Sequence, residues 1–141
     1  MTSTHESTAA RDTRTGVAGG LFRASVALHT VVAFGQPVFA GVFLTGDIDG
    51  LELHARGADV VFALGLAQAV AGVVLSVRTR WWWPASASLL LVVAESVQYM
   101  AGMDGALWLH LPLGVAVIAA LVVLFAVVWT RPLPGRVRSD G

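Results

Sequence analysis

The sequence predicts an all-α fold, a four-helix transmembrane up-down bundle built from two similar helical hairpins. Apolar residues make up 56% of the 141-residue chain and charged residues 13%, with a mean hydropathy of +0.74, so the chain is far more apolar than a soluble domain. The apolar residues form four blocks, each close to the ~20 residues that cross a hydrocarbon core. The blocks are Ala24–Leu44, Ala58–Val77, Trp81–Ala101 and Ala106–Thr130. Their short connections predict that consecutive helices are antiparallel neighbours.

The blocks divide the chain into a membrane domain and two tails. Residues 1–20 are rich in Thr, Ser, Ala and Gly and lack apolar periodicity, which predicts a disordered cytoplasmic tail. Residues 21–131 form the four-helix membrane domain, and residues 132–141 form a cytoplasmic C-terminal tail. Little sequence remains for a soluble catalytic domain, and no nucleophile–base pair, phosphate loop or HExxH spacing is present. The sequence leaves enzymatic activity open and favours its absence.

The distribution of arginines predicts the orientation in the membrane. Eight of the nine arginines fall on one side of a four-pass topology, and only Arg56 falls on the other. The eight are Arg11, Arg14, Arg23, Arg78, Arg80, Arg131, Arg136 and Arg138. Because positively charged loops stay in the cytoplasm, we expect both termini inside. Arginine without lysine, together with few isoleucines, suggests a GC-rich bacterial genome and therefore a bacterial plasma membrane.

Charge and cysteine content exclude several classes of partner and cofactor. The formal net charge is zero, which argues against nucleic acid, since neutralising phosphates needs a concentrated basic face. The absence of cysteine excludes disulfides, thiolate metal sites and iron–sulfur ligation. The expected partners are the lipid bilayer and, for an electron carrier, a redox partner or a membrane complex.

The two halves of the chain repeat one motif. Asp49 precedes His54 much as Asp104 precedes His110, and a glycine follows each histidine. We expect Asp49 to cap helix two in a capping box with Glu52, and Asp104 to cap helix four. Counted from these caps, both histidines lie roughly 7–9 Å into their helices, at the same depth. A duplicated hairpin whose histidines are merely interfacial is the competing interpretation.

Polar side chains recur on one stripe of every helix, together with small residues, which predicts that these stripes face the bundle interior. The stripes are His29, Ala33, Gln36 and Ala40; His54, Ala58, Val61, Gly65, Gln68, Gly72 and Ser76; Ser88, Glu95, Gln98 and Gly102; and His110 and Gly114. Glu95 lies about 13 Å deeper than Asp104, near the depth of Gln36. It is either a proton-carrying or cation-binding group, or a neutral carboxyl bonded to Gln36 or to a backbone carbonyl. His29 is expected to be a lone residue near the opposite face.

His54 and His110 are candidate ligands of one haem iron. In a square bundle, helices two and four are diagonal and roughly 14 Å apart, too wide for a small metal but suitable for a macrocycle ligated from both sides. Gly57, Ala58 and Gly114 would leave room for the porphyrin plane. Gln98 would contribute a hydrogen bond to the site.

The Leu-His pairs that open helices two and four, each with a nearby glycine, carry a family resemblance. Over about residues 21–130 the chain resembles a family of small uncharacterised four-helix bacterial membrane proteins, and more distantly the four-helix core of cytochrome b561-type proteins and ferric reductases. This resemblance implies bis-histidine haem b and transmembrane electron transfer, with His54 and His110 as the only ligands here. Two-haem members have a second histidine pair near the other face, where this chain has only His29.

Three functions therefore follow from the sequence. The first is an electron carrier or haem-binding protein with one site toward the outer leaflet. The second is a cofactor-free accessory subunit, in which the small-residue stripes serve helix packing and partner contact. The third is a small transporter of unknown substrate that uses Glu95, Gln36 and Gln68.

Overall fold

A computed structural model describes residues 16–133, and within them the chain is entirely helical, without strands. The helices are α1 (Val17–Leu44), α2 (Asp49–Thr79), α3 (Trp83–Met103) and α4 (Leu107–Thr130). All four are long and apolar enough to span a membrane. The predicted fold class, a four-helix membrane bundle, is confirmed.

Helices α1, α2 and α3 are each followed within two residues by a residue in the left-handed backbone region. Arg80 has φ of 62° and closes α2, donating its backbone N–H to the carbonyl of Ser76. Gly46 and Gly105, with φ of 96° and 67°, end the turns after α1 and α3, where a residue without Cβ adopts this conformation freely. Pro84 then stands in the first turn of α3, where no hydrogen bond needs its missing N–H.

The four helices form a square. Among the described residues, α1 is the neighbour of α2 and α4, and α3 is also the neighbour of α2 and α4, so that α1 with α3 and α2 with α4 are the diagonals. One end of the square, called the acidic end below, holds the α1–α2 and α3–α4 connections. The other end, called the arginine end, holds the α2–α3 connection and four of the five described arginines, Arg23, Arg78, Arg80 and Arg131.

The apolar core lies in the arginine half of the bundle. Its most buried members are Phe22, Val26, Leu75, Leu121 and Val128. Phe22 packs edge-on against the ring of Trp83, with ring centres 6.3 Å apart. Arg23 donates from Nε to the carbonyl of Val128 at 2.7 Å, which ties α1 to the last turns of α4. Large apolar side chains elsewhere on the helices are exposed, as expected for surfaces that face lipid.

The start of the first helix differs from the expected boundary between tail and membrane domain. Helix α1 begins at Val17, inside the segment assigned to the N-terminal tail. The remaining tail assignments fall on residues 1–15 and 134–141, outside the described part of the chain.

The expected caps are also wrong. Asp49 is the first residue of α2 rather than its cap, and Glu52 instead pairs with Arg56 one turn later. The backbone N–H of Asp49 donates to the carboxylate of Asp47 at 3.0 Å. Asp104 terminates α3, and α4 starts after Ala106 without a side-chain cap. The competing partner Arg56 and the tight turn at Gly105 account for these differences.

Candidate functional site

His54 of α2 and His110 of α4 meet near the acidic end of the bundle. Their ring centres are 5.9 Å apart and their planes lie at 75° to each other. Both side chains are half-buried and line a common cavity. The repeated motif thus brings together two histidines from diagonal helices, one from each hairpin. They are called the histidine pair below.

Each member of the histidine pair is held by a backbone carbonyl of the preceding helix. His54 donates from Nδ1 to the carbonyl of Gln36 at 3.1 Å, and His110 donates from Nδ1 to the carbonyl of Gln98 at 2.9 Å. A carbonyl oxygen can only accept, so each Nδ1 carries the proton. In a neutral imidazole the lone pair is then on Nε2. This is the arrangement of metal-ligating histidines, whose second nitrogen is fixed by a carbonyl or carboxylate.

The separation of the rings is shorter than the diagonal gap led us to expect. A metal–nitrogen bond of about 2.0–2.1 Å, plus about 1.1 Å from nitrogen to ring centre, places two opposed imidazoles on one metal about 6 Å apart. The ring centres are 5.9 Å apart, close to that spacing, because both side chains extend toward the bundle axis. The diagonal gap of roughly 14 Å between the helices therefore does not keep the two imidazoles apart.

Two glutamines occupy the space that we expected a porphyrin to use. The position of a Cβ on Gly57 is filled by the amide of Gln36, and that on Gly114 by the amide of Gln98. The Gln98 amide also donates to Nε2 of His110 at 3.4 Å. The glycines therefore do create room beside the histidine pair, but in this arrangement glutamine side chains take it.

Directly toward the bundle centre from the histidine pair lies a cavity of about 80 Å³, called the central cavity below. Its polar wall is formed by Gln36, His54, Glu95, Gln98, Tyr99 and His110, and its apolar wall by Ala33, Ala58, Val61, Phe62, Gly114, Val117 and Ile118. Several polar atoms here have no hydrogen-bond partner among the described residues. They are both amide atoms of Gln36, Oε1 of Gln98 and both carboxyl oxygens of Glu95.

At the inner end of the central cavity, Glu95 meets His29. His29 is fully buried and Glu95 is 4% exposed, and Nε2 of His29 lies 3.1 Å from Oε1 of Glu95. The two atoms are within ion-pair distance, although they are not aligned as a well-directed hydrogen bond. Gln68 accepts from Nδ1 of His29 at 3.0 Å and donates to Ser88 at 3.4 Å. His29 and Glu95 are called the central pair below.

The central pair corrects two expectations from the sequence. His29 is not a lone residue, and the partner of Glu95 is His29 rather than Gln36. His29 was expected near a helix end because the first block was taken to begin at Ala24, whereas α1 begins at Val17 and His29 lies twelve residues into it. In addition, α1 and α3 do not end level. Gln36 lies eight residues before the end of α1 and Gln98 five before the end of α3, yet both contact the histidine pair. The one sequence signal that could have predicted the contact between His29 and Glu95 is that both lie on inward-facing polar stripes.

A second polar contact lies where the central cavity approaches the α2–α3 surface. Tyr99 donates its hydroxyl to the exposed carboxylate of Asp59 at 2.8 Å. Phe62 and Tyr99 line both the central cavity and a shallow groove formed with Asp59, Ser96 and Met100. The cavity thus approaches the protein surface beside Tyr99.

The donor set constrains what the site can hold. Within residues 16–133 no group of three or more histidine, cysteine or acidic side chains is placed to bind a metal ion. The histidine pair supplies two nitrogen ligands, and the side-chain amides of Gln36 and Gln98 stand beside them. Two protein nitrogens are enough for a metal ion whose other ligands belong to a macrocycle, as in haem.

In comparisons with known proteins, the chain matches no family model, no curated protein and no solved structure.

Proposed function

We propose that His54 and His110 are the axial ligands of one haem b, and that the protein is a membrane electron carrier or haem-binding protein. The observation that carries this proposal is the pair of imidazoles 5.9 Å apart, each fixed through Nδ1 and each presenting Nε2. Two opposed ligands on diagonal helices leave the other coordination positions of an iron open to a macrocycle.

Room for the porphyrin depends on two side chains. The amides of Gln36 and Gln98 would have to turn away from Gly57 and Gly114. Turning Gln36 breaks no hydrogen bond, since both of its amide atoms are without partners among the described residues. Turning Gln98 gives up only the 3.4 Å contact with His110 Nε2, the atom that would bind iron. Turning both amides would clear the space beside Gly57 and Gly114, which a macrocycle held by the histidine pair would need.

A haem bound there would supply one-electron transfer. The protein would determine the orientation of the two imidazoles and the access of solvent to the site. The two backbone carbonyls hold each imidazole in the tautomer that leaves Nε2 free, and they fix the ring orientation. Val61, Val117 and Ile118 would bound the site with apolar surface, which limits solvent access and so influences the potential.

The visible spectrum of the purified protein, supplemented with haem in detergent, tests this proposal. We expect a low-spin bis-histidine spectrum with split reduced bands. His54→Ala and His110→Ala should each abolish it. His29→Gln is the matched control, because it removes an imidazole of the same bundle that does not belong to the histidine pair, and it should leave the spectrum unchanged.

Two results would contradict the proposal. One is a featureless visible spectrum after supplementation; the other is a His54→Ala/His110→Ala double variant that binds haem with the wild-type spectrum. A cofactor-free accessory subunit would then become the leading function, with the small-residue stripes serving partner contact.

We also propose that the acidic end faces away from the cytoplasm, which would place the haem toward the outer leaflet. The arginine asymmetry supports this orientation. The chain has no cysteine, so single cysteines report cleanly. Ile48→Cys, 76% exposed at the acidic end, should react with an impermeant thiol reagent in intact cells, and Ser139→Cys should not. The reverse labelling pattern would show that the acidic end faces the cytoplasm.

A further inference from the structure

The central pair is a second polar site, distinct from the histidine pair. His29 and Glu95 come from the diagonal helices α1 and α3 and lie in the middle of the bundle. Burying ionisable groups in a membrane interior is costly, so a pair of them needs a physical reason. Gly65 provides the space, since a Cβ there would collide with Oε2 of Glu95 and press on the His29 ring.

The hydrogen bonds fix how many protons the central pair holds. Nδ1 of His29 donates to Oε1 of Gln68, whose amide nitrogen in turn donates to Ser88. The remaining proton-binding position lies between Nε2 of His29 and Oε1 of Glu95. One proton there makes the pair neutral overall, either as imidazolium with carboxylate or as imidazole with carboxylic acid. Without it an uncompensated carboxylate remains, which burial disfavours.

The central cavity connects Glu95 with the histidine pair. Its volume of about 80 Å³ exceeds the ~10–15 Å³ that one water needs, so it has room for several. Both amide atoms of Gln36, Oε1 of Gln98 and Oε2 of Glu95 have no partner among the described residues, and waters in this space would satisfy them. A hydrated cavity would give Glu95 a route to solvent near Tyr99 and Asp59.

The route is closed toward the arginine end. Beyond the central pair lie the fully buried Phe22, Val26, Leu121 and Val128 of the apolar core. The buried polar side chains on the α2–α3 side are hydrogen-bonded within the protein; they are Gln68, Ser76, Thr79 and Ser88. Packed apolar side chains leave no space for a chain of waters. Access to the central pair is therefore from one side only, in contrast to a channel.

We propose that His29 and Glu95 form a buried proton-binding site that exchanges its proton with solvent through the central cavity, from the acidic end alone. The proton is taken from solvent water and returned to it, so no co-reactant is consumed. The titratable groups facing the pair across the cavity are His54 on α2, His110 on α4 and Tyr99 on α3. Gln68, also on α2, is uncharged. This proposal does not require haem at the histidine pair.

Magnetic resonance of the purified protein, with labelled histidine nitrogens and glutamate carboxyls, tests the pair directly. We expect one proton shared between Nε2 of His29 and the Glu95 carboxyl, and we expect its signal to disappear when the solvent is replaced by deuterium oxide. Glu95→Gln should abolish the shared-proton signal. Glu52→Gln, the same substitution in an exposed carboxyl, should leave it intact.

The same measurement in a His54→Ala background separates this proposal from the haem proposal. The shared-proton signal of His29 and Glu95 should persist there, whatever the visible spectrum shows. Absence of a shared proton, or a shared proton that does not exchange with solvent, would overturn the proton-binding proposal.

Thiol labelling tests the route. Ala58 lines the central cavity, and Ala69 lies on the same helix but is buried in the arginine half. Ala58→Cys should react at least about tenfold faster than Ala69→Cys with a small water-soluble thiol reagent, because only the first side chain adjoins water. Equal and slow labelling of both would overturn the hydrated route.

Discussion

The two hairpins, α1–α2 and α3–α4, share one pattern of backbone contacts at the acidic end and differ at the centre. In each, a histidine of the second helix donates to the backbone carbonyl of a glutamine in the first, and that glutamine packs on a glycine one turn beyond the histidine. The members are Gln36, His54 and Gly57 in one hairpin and Gln98, His110 and Gly114 in the other. The histidine pair thus has an approximate two-fold symmetry.

The symmetry breaks on moving toward the centre. Seven residues before Gln36 stands His29, whereas seven before Gln98 stands Leu91. Three residues before the same glutamines stand Ala33 and Glu95. The first hairpin therefore departs from the repeat at His29, and the second departs from it at Glu95. The central pair consists of these two residues. A repeated site and a unique site can share one small bundle in this way.

The largest loss of stability is expected at Gly50, where the backbone of α2 lies against the backbone of α1. A Cβ at Gly50 would meet the backbone of Phe43 and Phe39, which cannot move aside. Gly50→Ala should cost about 3 kcal/mol or more of the free energy of unfolding, measured by denaturation in detergent. Gly41→Ala, in open space on α1, is the control and should stabilise by up to about 1 kcal/mol. Equal stability of both variants would contradict the close approach of α1 and α2.

The next largest loss of stability is expected at Gly65, which lies against the central pair. Gly65→Ala should cost about 1–3 kcal/mol of the free energy of unfolding, because its methyl group displaces the carboxyl of Glu95. A double-mutant cycle with Glu95→Gln should show coupling between the two positions. Strictly additive effects would mean that Gly65 does not accommodate Glu95.

A smaller and equal effect is expected at the two glycines beside the histidine pair. Gly57→Ala and Gly114→Ala each meet only the flexible end of a glutamine, so each should change the free energy of unfolding by less than about 1 kcal/mol. Thermal denaturation of both variants measures this. A large loss in one hairpin alone would break the proposed symmetry of the site.

The smallest effect should come from the exposed ion pair of Glu52 and Arg56, which has no equivalent in the second hairpin. Their side chains are 59% and 75% exposed, so solvent screens the attraction. Glu52→Gln should cost well under about 1 kcal/mol and less still at high salt. A loss that is insensitive to salt would show that Glu52 has another role.

Helix number, membrane character and the inward stripes could be predicted because they follow from hydropathy and the 3.6-residue period. His29, Gln68 and Glu95 were each placed on such a stripe. The contact between His29 and Glu95 was missed, because depth along a helix cannot be compared between helices without knowing how their ends align. The packing of Gln36 on Gly57 was also missed, since a side-chain rotamer depends on the space that the neighbouring helix leaves.

His54 belongs to the first hairpin and His110 to the second, so any ligand held by both joins the two halves of the molecule. Binding would then favour the association of the two hairpins. The free energy of unfolding of the bundle would increase as the ligand concentration rises. At a hundredfold excess over the dissociation constant the gain is about 2.7 kcal/mol. The two hairpins, produced as separate chains, should associate more tightly when that ligand is supplied.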